Sequence, residues 1–121
     1  MEITEFAFVC YPVTNLAAAR AFYEGTLGLK SSNVWGDENQ AFIEYEIGPH
    51  CLAITNFSPG SNPDSLGPAV AFEVKDYDAT IAGLKAANVR FHMEPTDCQP
   101  CSFAIICDPD GNKLFVHRRK G

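Results

Sequence analysis

The sequence predicts an α+β fold built from two tandem βαβββ modules, and three observations carry that prediction. A strand signal, a capped helix and three further strand signals occur in that order twice. The copies align in two blocks: Val9-Cys10-Tyr11-Pro12-Val13-Thr14-Asn15 falls on Val70-Ala71-Phe72-Glu73-Val74-Lys75-Asp76 at a constant offset of 61 residues, and Leu52-Ala53-Ile54 falls on Leu114-Phe115-Val116 at 62, one inserted residue later. Between them, residues 58–66 hold Pro59, Gly60, Asn62, Pro63 and Asp64 and almost nothing to bury. The expected organisation is therefore one domain, 1–121, of two modules at about 1–57 and 67–121 joined by loop 58–66.

In chain order, Phe6 to Val13 is dense in Phe, Val and Tyr and reads as a strand. Asn15 is an N-cap, because its side-chain oxygen can take an orphan backbone N–H. Leu16, Ala19, Phe22 and Tyr23 then follow at the spacing of one buried helical stripe. Gly25 and Gly28 are expected to stop this helix. Strands at Asn33–Trp35, Ala41–Ile47 and Cys51–Asn56 are separated by the turn formers Gly36-Asp37 and Gly48-Pro49. After the loop, Ala69–Val74 repeats the strand, Asp76 the cap, and Tyr77, Ile81 and Leu84 the stripe, which ends at Asn88. Strands at Val89–Met93, Ser102–Cys107 and Lys113–His117 complete the copy. Asp108-Pro109-Asp110-Gly111-Asn112 is the last hairpin turn, with Gly where a positive φ is needed.

Composition narrows the function classes. The chain has 121 residues, 46% of them hydrophobic and 20% charged, enough for one core and too ordered in composition for a disordered segment. Fifteen acids against nine Lys and Arg leave a net charge of -6, which repels phosphate backbones and anionic membrane surfaces. Neither nucleic acid nor a membrane is an expected partner. Met1 to Glu5 carry no basic n-region, and no stretch approaches the ~20 apolar residues of a membrane span. Five cysteines, an odd number, do not imply a disulfide framework, so a reducing cytoplasm is the expected compartment.

Three groups of residues resemble the vicinal oxygen chelate superfamily, which includes glyoxalase I, bleomycin-resistance proteins, fosfomycin-resistance proteins and extradiol dioxygenases. They are Val13-Thr14-Asn15 with Ala21-Phe22-Tyr23 and Leu27-Gly28-Leu29, then Ala71-Phe72-Glu73-Val74-Lys75-Asp76, then Asp108-Pro109-Asp110-Gly111-Asn112. The resemblance implies a curved mixed sheet around one cleft, in which His, Gln or Glu side chains hold a divalent metal, and a homodimer. The family's ligand places fall here on Phe8, Ala53, Ala69 and Phe115. All four are hydrocarbon, and a transition metal needs imidazole or carboxylate donors at about 2.0–2.2 Å. A register slip of one residue would bring up Ala7, Val9, Leu114 or Val116, which bind metal no better. No metal or other cofactor is expected. Phe8 and Phe115 would instead line the cleft with aromatic surface for a flat or apolar ligand.

Strand alternation points Cys10, Glu73 and His117 to the same side as Phe8, Ala69 and Phe115. Cys10 with His117 has the makings of a thiolate–imidazole pair; the plainer reading is a buried thiol and a rim imidazole. Cys98-Gln99-Pro100-Cys101 has the spacing of a redox dithiol or half a zinc site, but no second such pair accompanies it, and the motif enters a strand. Cys101 would lie near the cleft mouth. Trp35 and Tyr45 read as packing residues, Glu44 and Glu46 as a solvated face with a base as the alternative, and His50 and His92 as exposed. Arg118-Arg119-Lys120 reads as a solvated terminus.

The expected function is metal-free binding of a small, partly apolar or aromatic molecule by Phe8, Cys10, Ala53, Ala69, Glu73, Cys101, Phe115 and His117. The first alternative is a lyase, glyoxalase-like or dioxygenase-like enzyme of the same superfamily with a displaced or metal-independent site. The second is a thiol redox module centred on Cys98 and Cys101.

Overall fold

Asn15 takes the Ala18 N–H on its side-chain oxygen at 3.0 Å, and Asp76 takes that of Ala79 at 3.0 Å, so each predicted cap opens a helix. The computed structural model describes residues 1–2, 4, 6–56, 69–97 and 101–119. The chain divides into two units, Met1–Pro63 and Asp64–Gly121. The expected loop 58–66 lies outside the described residues.

In the first unit, β1 (Val9–Pro12) leads into α1 (Leu16–Arg20), which runs without a break into a π-helical segment, Ala21–Thr26. The wider winding shows in Leu27 N–H bonding Phe22 O at 2.9 Å, five residues back. Gly25 lies inside this segment and does not stop it, contrary to expectation; the chain turns at Gly28, whose φ is 73°. Strands β2 (Ser31–Gly36), β3 (Ala41–Ile47) and β4 (His50–Thr55) then form a meander, and β1 adds to β4 in parallel, giving the order β1-β4-β3-β2. β1 begins at Val9 rather than Phe6, and its ladder to β4 runs from Val9↔Leu52 to Pro12↔Thr55.

Period-two alternation divides this sheet into two faces. Ala41, Ile43, Tyr45, Leu52 and Ile54 are buried on the side that also receives Leu16, Ala19, Phe22 and Tyr23 from the helix. Tyr23 stacks on Tyr45 with ring centroids 5.9 Å apart. Burying Ile43 and Ile54 contributes roughly 1.5–3 kcal/mol each. The opposite face is helix-free within the unit.

The second unit repeats the plan. β5 (Val70–Glu73), α2 (Tyr77–Ala86), β6 (Phe91–Asp97), β7 (Cys101–Cys107) and β8 (Lys113–Arg119) give the order β5-β8-β7-β6. The parallel pairs Val70↔Leu114, Ala71↔Phe115, Phe72↔Val116 and Glu73↔His117 are the counterparts of Val9↔Leu52 through Pro12↔Thr55. The two sequence offsets are thus one register seen twice. Leu114, Val116, Ala104 and Ile106 are buried on the helix side, where Tyr77 and Leu84 are buried too. There the Arg118 guanidinium lies 4.9 Å from the Tyr77 ring centroid, a packing role that the solvated-terminus reading missed.

β6 is later and longer than the expected Val89–Met93, and includes Pro95. As the outermost strand of its sheet it has a side with no ladder to complete, so a missing N–H is tolerated. The last turn forms as expected. The Asp108 carboxylate accepts the N–H groups of Asp110 and Asn112 at 2.9 and 2.8 Å, and Gly111 has φ 87°.

Candidate functional site

On the helix-free face of the first sheet, Phe8 meets Phe42 edge-on, with ring centroids 5.4 Å apart. Cys10 is level with Ala53, and Ala53 with Glu44, across three adjacent strands. Glu44 is no freely solvated carboxylate: Oε1 accepts the Trp35 indole N–H at 3.1 Å, and Oε2 accepts from the Cys51 thiol at 3.6 Å. Trp35, expected to pack, is 61% exposed, because β2 is the outer strand and the helix covers the other side. Tyr45 does pack, fully buried on the helix side, and His50 and His92 are exposed as expected. Ala53 is fully buried and offers no surface itself, while Phe8 and Cys10 are exposed.

The helix-free face of the second sheet has the same logic and a different chemistry. Phe103 and Phe115 stack with centroids 5.8 Å apart and planes 22° from parallel. His117 is level with Glu73 on one side and Phe103 on the other. Glu73 Oε1 lies 2.6 Å from His117 Nδ1, and Oε2 accepts the Arg119 backbone N–H at 2.8 Å. The Arg119 N–H first, and His117 second, hold the Glu73 carboxyl below its ordinary range. Ala69 and Glu73 are exposed, and Cys101, Phe115 and His117 are half-buried.

On balance the surroundings of Cys10 and Cys51 disfavour the thiolate. Desolvation pushes the Cys10 thiol up, and desolvation followed by the Glu44 carboxylate does the same for Cys51, so both favour the unreactive S–H form. His117 Nδ1 is occupied by Glu73, not by a thiol. Cys98, Gln99 and Pro100 lie outside the described residues; Cys101 opens β7.

Two members of these faces were not singled out from the sequence, Phe42 and Phe103. Each sits at the right parity, Phe42 two before Glu44 and Phe103 two after Cys101, but only cross-strand register puts them beside Phe8 and Phe115.

A family model described as the glyoxalase/bleomycin resistance protein/dioxygenase superfamily matches residues 5–116. The chain belongs to that superfamily. Among solved structures similar to this superfamily member, an antibiotic binding protein from a Streptomyces species has a TM-score of 0.81 at 23% identity, with 99% of each chain covered. A glyoxalase family protein from Enterococcus faecalis has 0.75 at 23% identity, covering 97% of this chain and 99% of that one. A glyoxalase/bleomycin resistance protein/dioxygenase from Alicyclobacillus acidocaldarius has 0.74 at 17%, covering 94% and 90%. These likenesses establish the tandem βαβββ fold. No curated protein matches the chain by sequence.

The superfamily implies a metal, and this member's residues can be tested for it. Phe8 and Ala53 lie at helix-free parity in the first unit, Ala69 and Phe115 in the second. None has a lone pair to donate, and Phe8 and Phe115 are engaged in ring pairs. That donor set does not fit a cation. Among the described residues no three His, Cys, Asp or Glu side chains gather as metal ligands, and no helix is long and apolar enough to cross a membrane.

Proposed function

We propose that the protein binds a small, partly aromatic molecule without a metal, against the helix-free faces of its sheets. One observation carries this reading: where the superfamily would place metal donors, Phe8 and Phe115 stand in ring pairs with Phe42 and Phe103. Such rings bind flat apolar surface by stacking and burial. The antibiotic bound by the Streptomyces relative is consistent with a small-molecule ligand for this chain as well.

Titration with 2-methoxynaphthalene, followed by fluorescence, tests it. Saturable binding is expected, weakened about tenfold by Phe115→Ala, the loss of one aromatic contact. Absence of saturable binding, or binding indifferent to both Phe8→Ala and Phe115→Ala, overturns the reading. A second reading, a metal-independent proton-transfer enzyme of the same superfamily, is favoured by the Glu73–His117 contact. Catalysed deuterium exchange beside a carbonyl, lost in His117→Gln, would establish it.

A further inference from the structure

Glu73 does more than sit near His117: its two oxygens have different jobs. Oε2 is committed to the Arg119 backbone N–H at 2.8 Å, which fixes the plane of the carboxylate and aims Oε1 at His117 Nδ1, 2.6 Å away. An ionised carboxylate only accepts. In the neutral imidazole the proton must therefore reside on Nδ1, leaving the Nε2 lone pair as an acceptor. Among the described residues no hydrogen bond is recorded for Nε2, and the ring is half-buried. Phe103 is directly opposite His117 in the ladder, and Phe115 precedes His117 by two on the same face.

We infer that His117 Nε2 accepts a hydrogen bond from a hydroxyl on the ring system that Phe103 and Phe115 hold, so that the ligand class is a phenol or enol rather than a plain aromatic hydrocarbon or ether. This rests on the binding reading above. Glu73 is the positioning residue: it acts through the imidazole by setting which nitrogen carries the proton. Discrimination follows because a ligand without the donor would leave a half-buried acceptor unpaired.

The experiment compares 2-naphthol with 2-methoxynaphthalene on the whole chain. The naphthol should bind about tenfold more tightly, the worth of one hydrogen bond to a pre-oriented acceptor. His117→Phe should abolish that preference, bringing the affinities of the two probes to within about twofold of each other. Glu73→Gln carries a sharper signature. Its amide can satisfy the Arg119 N–H only with oxygen, which turns NH2 toward Nδ1 and moves the imidazole proton to Nε2. Nitrogen-15 spectra should show that tautomer change, together with loss of the naphthol preference, while thermal unfolding stays cooperative. If both probes bind equally, or His117→Phe keeps the preference, or the native proton is on Nε2, the inference falls and the binding reading survives. If neither probe binds, both fall.

Discussion

The Tyr45 hydroxyl donates to Glu24 Oε2 at 2.9 Å, tying the middle of β3 to the π-helical segment above it. The same oxygen receives Arg20 Nε at 2.6 Å, so one carboxylate gathers the helix and the sheet. Desolvation works against the ionised Glu24, but the hydrogen bonds from Arg20 and Tyr45 outweigh it and hold its carboxyl below the ordinary range. Burial first, and Glu24 second, push the Tyr45 phenol up, which keeps it a donor. Wider winding places Glu24 and the buried Tyr23 together over Tyr45, a contact that helical periodicity alone does not reveal.

Tyr45→Phe should cost about 2 kcal/mol at neutral pH, the scale of a hydrogen bond to a charged acceptor. A carboxylate whose folded pKa is depressed contributes stability that is present above its unfolded pKa and is lost as pH falls through the folded one. Wild type should therefore lose stability below the ordinary carboxylate range, and its advantage over Tyr45→Phe should narrow there. Urea unfolding of both proteins at about pH 7 and about pH 3.5 checks this. A gap that stays constant with pH would mean that the Tyr45 hydroxyl does not help to depress Glu24.

Gly36→Ala should destabilise by about 2 kcal/mol or more. Gly36 has φ 118°, and a Cβ there would lie 2.2 Å from the backbone oxygen of Gln40. That oxygen already accepts the Asp37 N–H at 2.8 Å, while the Asp37 carboxylate takes the N–H groups of Asn39 and Gln40, so the tight turn cannot move aside cheaply. Gly25→Ala is the control, having open space around its Cβ position. Comparable unfolding midpoints for the two would refute the turn argument.

Chelation should leave the protein unmoved. A metal resident in the native state would stabilise it by mass action, so dialysis against a chelator would lower Tm by several degrees. A shift under about 1 °C is the expected result. A larger fall, restored by adding back Zn²⁺ or Ni²⁺, would show that donors other than those at the superfamily places hold a cation.

Much of the fold was present in local pattern. Asn15 and Asp76 announced the helices because a cap is a contact between a residue and its own next turn. The offsets of 61 (Val9 to Val70) and 62 (Leu52 to Leu114) announced the duplicated ladder because period-two alternation repeats wherever a strand pairs again. That the side chains of Phe8, Ala53, Ala69 and Phe115 lack lone pairs follows from their covalent structure alone, in any conformation. Tertiary structure alone decided the rest. It exposed Trp35 by making β2 an outer strand, changed the winding after Arg20, and joined Phe8 to Phe42, Phe115 to Phe103 and Glu73 to His117. The partners in each pair come from different segments of the chain, 12 to 44 residues apart in sequence, so their distances are set by the register between those segments. Local propensity is blind to such separations.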